Sequence, residues 1–326
     1  MFKKFCYCVV AALCIANVSG SAFAEGKKIY HILKTTESEF YAIVIDGANA
    51  AAKEFGVELI HQSPQSENDV AKQIAIVETA IADQPDAIIL APDVEDALVP
   101  VIEQAKAAGI PVIIIDSGAS TDQYVAFVAS DNVNIGKVSA DKMAEALKAR
   151  FGEAKGKIAG VTFMGGGGSL EKRKQGFMEQ IKSYPDIEVV TFEDAQGKQG
   201  NTLAIVQNLL TAYPDLKGIY ANNQYTGDET VRALDMAGRK DVAAVVVDAG
   251  PLETEGLKTG ITDFMIVQKP WVMGYMGVEN AVKALNGETL DKFIDTGVVA
   301  ISPAMVKSGE AEEFLSPIAF HQKNQQ

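Results

Sequence analysis

"DAIILAPDVEDALVPVIEQAKAAGIPVIIIDSG", residues 86–118, is the stretch that decides the fold class of this chain. It begins with a short apolar run, continues through a helical pattern that stops at Gly109 and Pro111, and ends in a second apolar run. Both apolar runs are continuous rather than alternating, which is typical of strands buried on both faces. A strand, a helix and a second strand in this order predict two parallel strands joined by a right-handed crossover.

The same alternation of strand and helix runs along the rest of the chain and exceeds what one sheet of ordinary size accommodates. It divides into two similar blocks near Ser130, and each block contains a buried run that stops on a carboxylate, at Asp116 in "PVIIIDSG" and at Asp248 in "AAVVVDAG". Taken alone, either aspartate could equally well be a ligand-binding group or a helix cap or turn residue. Because ligands bind outside the carboxyl ends of parallel strands, the matched pair favours two lobes that face one cleft.

The N-terminal segment has the features of a secretory signal peptide. Lys3 and Lys4 precede an apolar stretch, and Ala22-Phe23-Ala24 fits the small-residue cleavage rule, so residues 1–24 are expected to be removed after Ala24. The apolar stretch is too short for a membrane anchor. Lipid attachment at Cys14 is an alternative that the residues before it support poorly.

Composition excludes several classes of function. The net charge of −14 argues against nucleic acid and anionic membranes as partners. All three cysteines lie within the expected signal peptide, so the exported chain would have neither a disulfide nor a thiolate site. The spacing of His31, His61 and His321 resembles no metal site, and no nucleophile motif is present. The sequence therefore predicts no metal, no cofactor and no catalytic residue.

A run of four glycines in "MGGGGSLEKRKQGF", residues 164–177, first suggests a nucleotide-binding loop. A P-loop would require Lys after its last glycine, where this chain has Ser169. The dinucleotide fingerprint fails as well, because Leu170 or Glu171 stands where its third glycine should be. A secreted nucleotide-dependent enzyme is thus the weaker hypothesis. We expect the glycines to form the first strand-to-helix loop of the second lobe.

Taken together, these segments resemble the type I, ribose-binding-like periplasmic substrate-binding proteins of sugar ABC transporters. The resemblance covers nearly all of the chain after the signal peptide, and it is carried by the stretch quoted first together with "ASDNVNIG", "QNLLTAYPDLKGIYANN" and "IVQKPWVMGYMGVENAVKALNGE". It implies two Rossmann-like lobes of parallel sheets flanked by helices, with a ligand cleft between them. It further implies three hinge crossings, near Ser130-Asp131, near Gln268-Lys269 and near Gly297.

The same resemblance implies discontinuous lobes, hinge closure on a sugar, a polyol or a similar small polar ligand, and delivery to the membrane subunits of an ABC permease. A ligand sensor that signals to a chemoreceptor or a histidine kinase is the alternative output. The chain is expected to be a periplasmic monomer without catalytic activity. The lobes are expected to comprise residues 25–130 with 269–297, and residues 131–268 with 298–326.

Several cleft residues follow from the resemblance. Phe40 and Tyr41 stand where the family places aromatic rings that stack on sugar, and Asp116 and Asp248 match its paired carboxylates. Each carboxylate could accept hydrogen bonds from two adjacent hydroxyls. At least one of the two aromatic rings is expected to face the cleft, while the other could begin the core face of a helix.

Amide side chains complete the implied set. Asn223 and Gln268 match amide positions of the family, although Gln268 could stabilise the hinge instead of, or in addition to, contacting the ligand. Trp271 follows a hinge crossing and could form a wall of the pocket, but a single tryptophan is more often packed in an interface.

The chain also departs from the ribose-type pattern. Ser117 stands where that pattern has arginine, and Glu171 aligns with its second arginine. Arg173 could supply the guanidinium, although it could also be a surface charge in the run "EKRK". Lys34 ends the first strand. Its combination with Asp116 resembles the pattern of receptors for furanosyl autoinducers. These differences argue against ribose as the ligand.

Overall fold

In the computed structural model, which describes residues 26–324, the chain alternates strands and helices from end to end. The expected signal peptide lies outside the described residues. The strands are β1 (Lys28–Ile32), β2 (Glu58–Gln62), β3 (Ala87–Leu90), β4 (Val112–Ile115), β5 (Ala126–Ala129), β6 (Gly156–Thr162), β7 (Ile187–Asp194), β8 (Leu216–Ala221), β9 (Ala243–Val247), β10 (Phe264–Val267), β11 (Phe293–Asp295) and β12 (Val299–Ile301).

Helices connect most of these strands. They are α1 (Glu39–Phe55), α2 (Val70–Ala82), α3 (Val99–Ala107), α4 (Asn132–Phe151), α5 (Gly168–Gln180), α6 (Gln199–Ala212), α7 (Gln224–Met236), α8 (Pro251–Thr259), α9 (Pro270–Leu285), α10 (Pro303–Ser308), α11 (Glu312–Leu315) and α12 (Pro317–Asn324).

The first lobe is built on a six-stranded parallel sheet in the order β11-β5-β4-β3-β1-β2. Its central strands are apolar throughout because both of their faces are covered. Ile113 and Ile115 pack against α1 and α9, whereas Ile114, between them, packs against α2 and α3. The continuous Val/Ile run at this strand is therefore explained by a core on each side of the sheet.

The second lobe repeats this arrangement with a sheet in the order β12-β10-β9-β8-β6-β7. Its strands pair in parallel, except that β12 runs antiparallel to β10 at one edge. Val245 and Val247 face α4 and α5, and Ala244 faces α6 and α7. The expected fold class, two α/β lobes with largely parallel sheets, is confirmed.

The chain passes between the two sheets at three places. The first passage joins β5 to α4, the second joins β10 to α9, and the third joins β11 to β12. The first and third passages touch, because Ser130 Oγ donates to the Gly297 carbonyl at 2.8 Å and lies 3.0 Å from Thr296 Oγ1. Gly297 has φ 77°, which favours glycine at this bend.

The C-terminal segment contacts both lobes. Phe314 and Leu315 of α11 pack on the core of the second sheet, but α12 packs against α1 of the first lobe. There the His321 ring stacks on Trp271 with ring centroids 3.8 Å apart. Assigning all of residues 298–326 to the second lobe therefore does not describe the contacts of α12. Across residues 26–324, no helix combines the length and apolarity that crossing a membrane requires.

Candidate functional site

The site is built around two aspartates that end corresponding strands. Asp116 follows β4 and Asp248 follows β9, with φ 62° and 86° respectively. Aspartate is one of the few residues that adopt this left-handed conformation readily. The backbone N–H of each aspartate still bonds the neighbouring strand, to Val128 O at 3.1 Å and to Ile266 O at 3.0 Å. The left-handed turn thus begins at each aspartate, where its strand stops at the cleft edge of the sheet.

Asp116 is held by a buried cation. Lys34 Nζ lies 2.8 Å from Asp116 Oδ2, and the Tyr41 hydroxyl donates to the same oxygen at 2.9 Å. Lys34 also donates to Ser117 Oγ at 2.5 Å. Burial alone would raise the pKa of Asp116, but Lys34, Arg173 and Tyr41 outweigh burial and hold the pKa below its ordinary value. Asp116 is therefore an ionised carboxylate that is paired within the protein.

Asp248 is surrounded by weaker partners. Gln268 Nε2 donates to Asp248 Oδ1 at 2.8 Å, and the backbone N–H of Gln224 donates to Oδ2 at 3.3 Å. Arg173 Nη1 lies 3.9 Å from Oδ2. Burial raises the pKa of Asp248, and Arg173 and Gln268 offset that effect only in part.

Arg173 is buried, and residues of the second lobe hold its side chain in place. The residue is 2% exposed. Nε donates to Asn132 Oδ1 and Nη1 donates to the Asn222 carbonyl, each at 2.9 Å. These bonds hold the guanidinium rigidly beside Asp248.

A cavity lies between the lobes at these carboxylates. Its empty space, which includes open solvent at the mouth, is about 400 Å³. Its lining is polar and aromatic. It is formed by Lys34, Ser38, Phe40, Tyr41, Glu67, Asp116, Ser169, Leu170, Arg173, Asn223, Gln224, Tyr225, Asp248 and Gln268.

The two lobes touch around this cavity. Ser117 Oγ of the first lobe lies 3.0 Å from Ser169 Oγ of the second. Lys172 Nζ lies 2.8 Å from Glu95 Oε1 across the same gap. Asn68 Nδ2 donates to the Gly197 carbonyl at 2.5 Å. The lobes therefore stand in a closed arrangement.

Eight of the expected site residues line the cavity, including both aromatic residues. They are Lys34, Phe40, Tyr41, Asp116, Arg173, Asn223, Asp248 and Gln268. Asn223 also begins α7, where its Oδ1 accepts from the Thr226 backbone at 3.1 Å and from Thr226 Oγ1 at 2.8 Å. Its side-chain oxygen is therefore engaged, and its NH₂ group is the part left to donate.

Three expected residues lie outside the cavity lining. Ser117 is buried just behind it and supports Lys34 and Asp116. Glu171 is exposed, because α5 places Leu170 and Arg173 on its inner face and turns Glu171 outward. Trp271 packs away from the cavity, against Tyr275 and His321, and its Nε1 donates to Asp46 at 2.9 Å. The packed-interface interpretation of Trp271 fits this geometry better than the pocket wall.

Six residues of the cavity lining were not predicted from the sequence, namely Ser38, Glu67, Ser169, Leu170, Gln224 and Tyr225. Glu67 lies in the loop between β2 and α2, and Tyr225 lies in the first turn of α7. The only sequence signal for Tyr225 was its position two residues after Asn223 in "YANNQY". Glu67 carries no such signal, since the loop that holds it has no fixed relation to a strand end.

Asp93 is a buried carboxyl group close to the site but outside its lining. It is 2% exposed, and neither carboxyl oxygen has a hydrogen-bond partner within residues 26–324. Burial raises the pKa of Asp93 to about 9, an effect that Lys34 opposes and Glu67 adds to. The group is consequently protonated at neutral pH.

The histidines take structural positions. His31 Nδ1 lies 2.8 Å from His61 Nδ1, and His61 Nε2 lies 2.9 Å from Asn49 Oδ1. In the part of the chain that the structure describes, no cluster of His, Cys, Asp or Glu is arranged to hold a metal ion.

Comparison with known proteins agrees with this architecture. A family model described as a periplasmic binding protein domain matches residues 29–289. The ribose import binding protein of Escherichia coli is 31% identical over 286 residues, which are 88% of this chain and 94% of that protein.

Two solved structures share the fold over nearly their full lengths. The solute-binding protein of a carbohydrate transporter from Agrobacterium radiobacter, in complex with D-arabinose, is 33% identical, with a TM-score of 0.87 and coverage of 89% of this chain and 99% of that chain. An ABC transporter solute-binding protein from Agrobacterium vitis with bound D-fucose is 35% identical, with a TM-score of 0.83 and coverage of 88% and 99%. The family match spans most of the sequence and both lobes agree with these structures, so the chain belongs to the periplasmic binding protein family, with the solute-binding proteins of sugar ABC transporters.

Proposed function

We propose that this chain captures a monosaccharide or a polyol in the periplasm by closure of its two lobes and delivers it to an ABC permease. The observation that carries the proposal is the cavity itself, because its polar groups come from both lobes at the ends of matched strands. A ligand bonded to both lobes stabilises the closed form relative to the open form, which is the requirement for ligand-driven closure.

The chemistry of the lining suits a polyhydroxylated ligand. Asp116 and Asp248 offer carboxylate acceptors, and Asn223 and Arg173 offer donors. Gln268 Oε1 is buried without a hydrogen-bond partner among the described residues, so a ligand hydroxyl would satisfy it. Such an orphaned acceptor in a polar cavity supports a ligand that donates hydrogen bonds.

Aromatic rings supply the apolar contact that the C–H face of a sugar requires. Phe40 and Tyr41 pack edge to face, with ring centroids 5.2 Å apart, on the side of the first lobe. Tyr225 lies on the second lobe, where its ring packs on Phe163 at 4.7 Å. A sugar ring held between aromatic groups of opposite lobes would couple binding to closure.

The ligands of the relatives support the proposed ligand class. Their bound ligands include D-arabinose and D-fucose, and one relative is a ribose import binding protein. Ser117 provides a short hydroxyl, engaged with Lys34, where the ribose-type pattern has arginine. We therefore propose an aldose or a related polyol and do not single out ribose.

Export and output belong to the same proposal. Residues 1–24 would direct the chain to the periplasm, and the exported monomer would bind its ligand without converting it. Recognition of the closed form by a chemoreceptor or a histidine kinase would be compatible with transport. Mass spectrometry of the exported protein tests the first point, because cleavage after Ala24 leaves Glu25 at the N-terminus.

A thermal-shift panel of aldoses, polyols and sugar acids, followed by calorimetry, tests the ligand class. A ligand at 100 times its dissociation constant adds about 2.7 kcal/mol to the free energy of unfolding, which gives a clear melting shift. Stabilisation by a sugar that is recovered unchanged supports the proposal. Lack of stabilisation by every compound, or turnover of the bound sugar, would overturn it.

A further inference from the structure

Glu67 is a charged residue of the cavity lining for which the described residues provide no hydrogen-bond or ion-pair partner. Among residues 26–324, no hydrogen bond or ion pair is formed by its carboxylate, although the side chain lines the cavity and is half-buried. The other charged lining groups are engaged: Lys34 with Asp116, and Arg173 with its anchors beside Asp248.

The charge balance of the cavity depends on this residue. Lys34 and Arg173 are matched by Asp116 and Asp248, so the formal charge of these four groups cancels. Glu67 adds one negative charge that is not compensated. The surrounding protein raises the pKa of Glu67 through burial, and Asp116 and Asp248 add to that effect against Lys34 and Arg173. The ionised form of Glu67 is therefore disfavoured in the free protein, and a ligand group that donates a hydrogen bond or carries positive charge would stabilise it.

The position of Glu67 gives its side chain room to meet such a group. The residue lies in the loop between β2 and α2, and it lines the cavity together with Tyr225 of the opposite lobe. The same two residues also line a second cavity, whose lining includes Thr35 and Gln199. Glu67 therefore borders both cavities.

We propose that Glu67 determines the charge selectivity of the site, accepting a hydrogen bond from a hydroxyl or ammonium group of the ligand and rejecting sugar acids. This inference rests on the proposed function and narrows its ligand class to neutral and amino sugars. A carboxylate on the ligand would meet the one uncompensated anion of the lining, and like charges at close range in a partly buried site oppose binding.

Calorimetry on the Glu67→Gln variant tests this assignment. The probes are the neutral sugar that stabilises the wild-type protein most, its amino-sugar counterpart and its sugar-acid counterpart. Glutamine keeps the shape and an acceptor oxygen but removes the charge. We expect the variant to bind the neutral sugar about fivefold to tenfold more weakly, because hydrogen bonds to charged groups are stronger than neutral ones. The loss for the amino sugar should be larger, and the sugar acid should bind more tightly than it does to the wild-type protein.

Glu171→Gln is the matched control, since it makes the same chemical change at an exposed glutamate outside the cavity. Its affinities should equal those of the wild-type protein. The inference is overturned if Glu67→Gln binds the neutral sugar within twofold of wild type, or if the wild-type protein prefers the sugar acid. Wild-type protein that binds no sugar would overturn the proposed function as well, so the two failures are distinguishable.

Discussion

Asp116 and Asp248 end corresponding strands of the two sheets in the same left-handed conformation, yet their electrostatic surroundings differ. Asp116 pairs with Lys34 at 2.8 Å, whereas Asp248 receives the neutral amide of Gln268 at 2.8 Å and lies 3.9 Å from Arg173. The pKa is lowered at Asp116 and raised at Asp248. Equivalent positions in the fold should consequently respond differently to mutation.

Asp248→Asn should weaken ligand binding without unfolding the protein. Asparagine keeps an oxygen that can accept from Gln268, so the local hydrogen bonds survive. The loss of a charged acceptor for the ligand should lower affinity about tenfold to a hundredfold. Calorimetry measures the affinity, and circular dichroism with thermal melting checks the fold. Unchanged affinity would remove Asp248 from the ligand site.

Asp116→Asn should reduce stability as well as binding. It leaves the Lys34 ammonium buried without its carboxylate, and breaking a buried ion pair costs about 3–5 kcal/mol of unfolding free energy. Denaturant unfolding measures this loss. Adding Lys34→Met should restore much of the stability but not the binding. An Asp116→Asn variant as stable as wild type would show that the ion pair contributes little.

The sequence predicted much of the site because strand ends are fixed by pattern. Asp116 and Asp248 follow recognisable buried strands, and parallel topology brings such ends to one edge. Glu67 could not be predicted as a lining residue, because its loop is positioned by tertiary contacts that leave no pattern in the local sequence.

Helix phase and long-range packing explain why Glu171 and Trp271 lie outside the cavity lining. Leu170 and Arg173 are three residues apart and share the inner face of α5, so the helical period places Glu171 on the outer side. The expectation that Glu171 binds ligand came instead from its alignment with an arginine of the ribose-type pattern. The environment of Trp271 depends on the return of His321 from the end of the chain, which no local pattern announces.

The ion pair between Lys172 and Glu95 should favour the closed form. The pair joins the lobes at 2.8 Å, but the two side chains are 43% and 27% exposed, so its contribution is modest. We expect Lys172→Ala to lower ligand affinity about twofold to fivefold, an effect that fades at high salt.

A double-mutant cycle with Glu95→Ala isolates this contribution, with calorimetry at two salt concentrations as the measurement. Lys142→Ala is a suitable control, because Lys142 pairs with Glu145 within one helix of one lobe. Equal effects of Lys172→Ala and Lys142→Ala would argue against a role of the Lys172 pair in closure.

Asp93→Asn should stabilise the protein, and increasingly so as pH rises. The pKa of Asp93 is about 9 in the folded chain and about 3.8 when exposed, so between these values the folded state holds a proton that the unfolded state has released. Stability contributed by this group therefore falls as pH rises, by up to about 1.4 kcal/mol per pH unit. Asparagine has no such dependence. The difference in melting temperature between variant and wild type should grow from pH 5 to pH 8, and a constant difference would contradict the assignment.

Trp271 fluorescence should report whether the C-terminal helix is docked on the first lobe. The chain has one tryptophan, and the His321 ring stacks on it with centroids 3.8 Å apart and planes 10° from parallel. A protonated imidazole in contact quenches indole emission. Burial lowers the pKa of His321 from 6.5, against the opposing effects of Glu313 and Asp46. Emission should therefore fall on acidification with a midpoint below pH 6.5. His321→Gln removes the titrating group and should give emission that is flat over the same range, and identical titrations of the two proteins would show that α12 is not docked in solution.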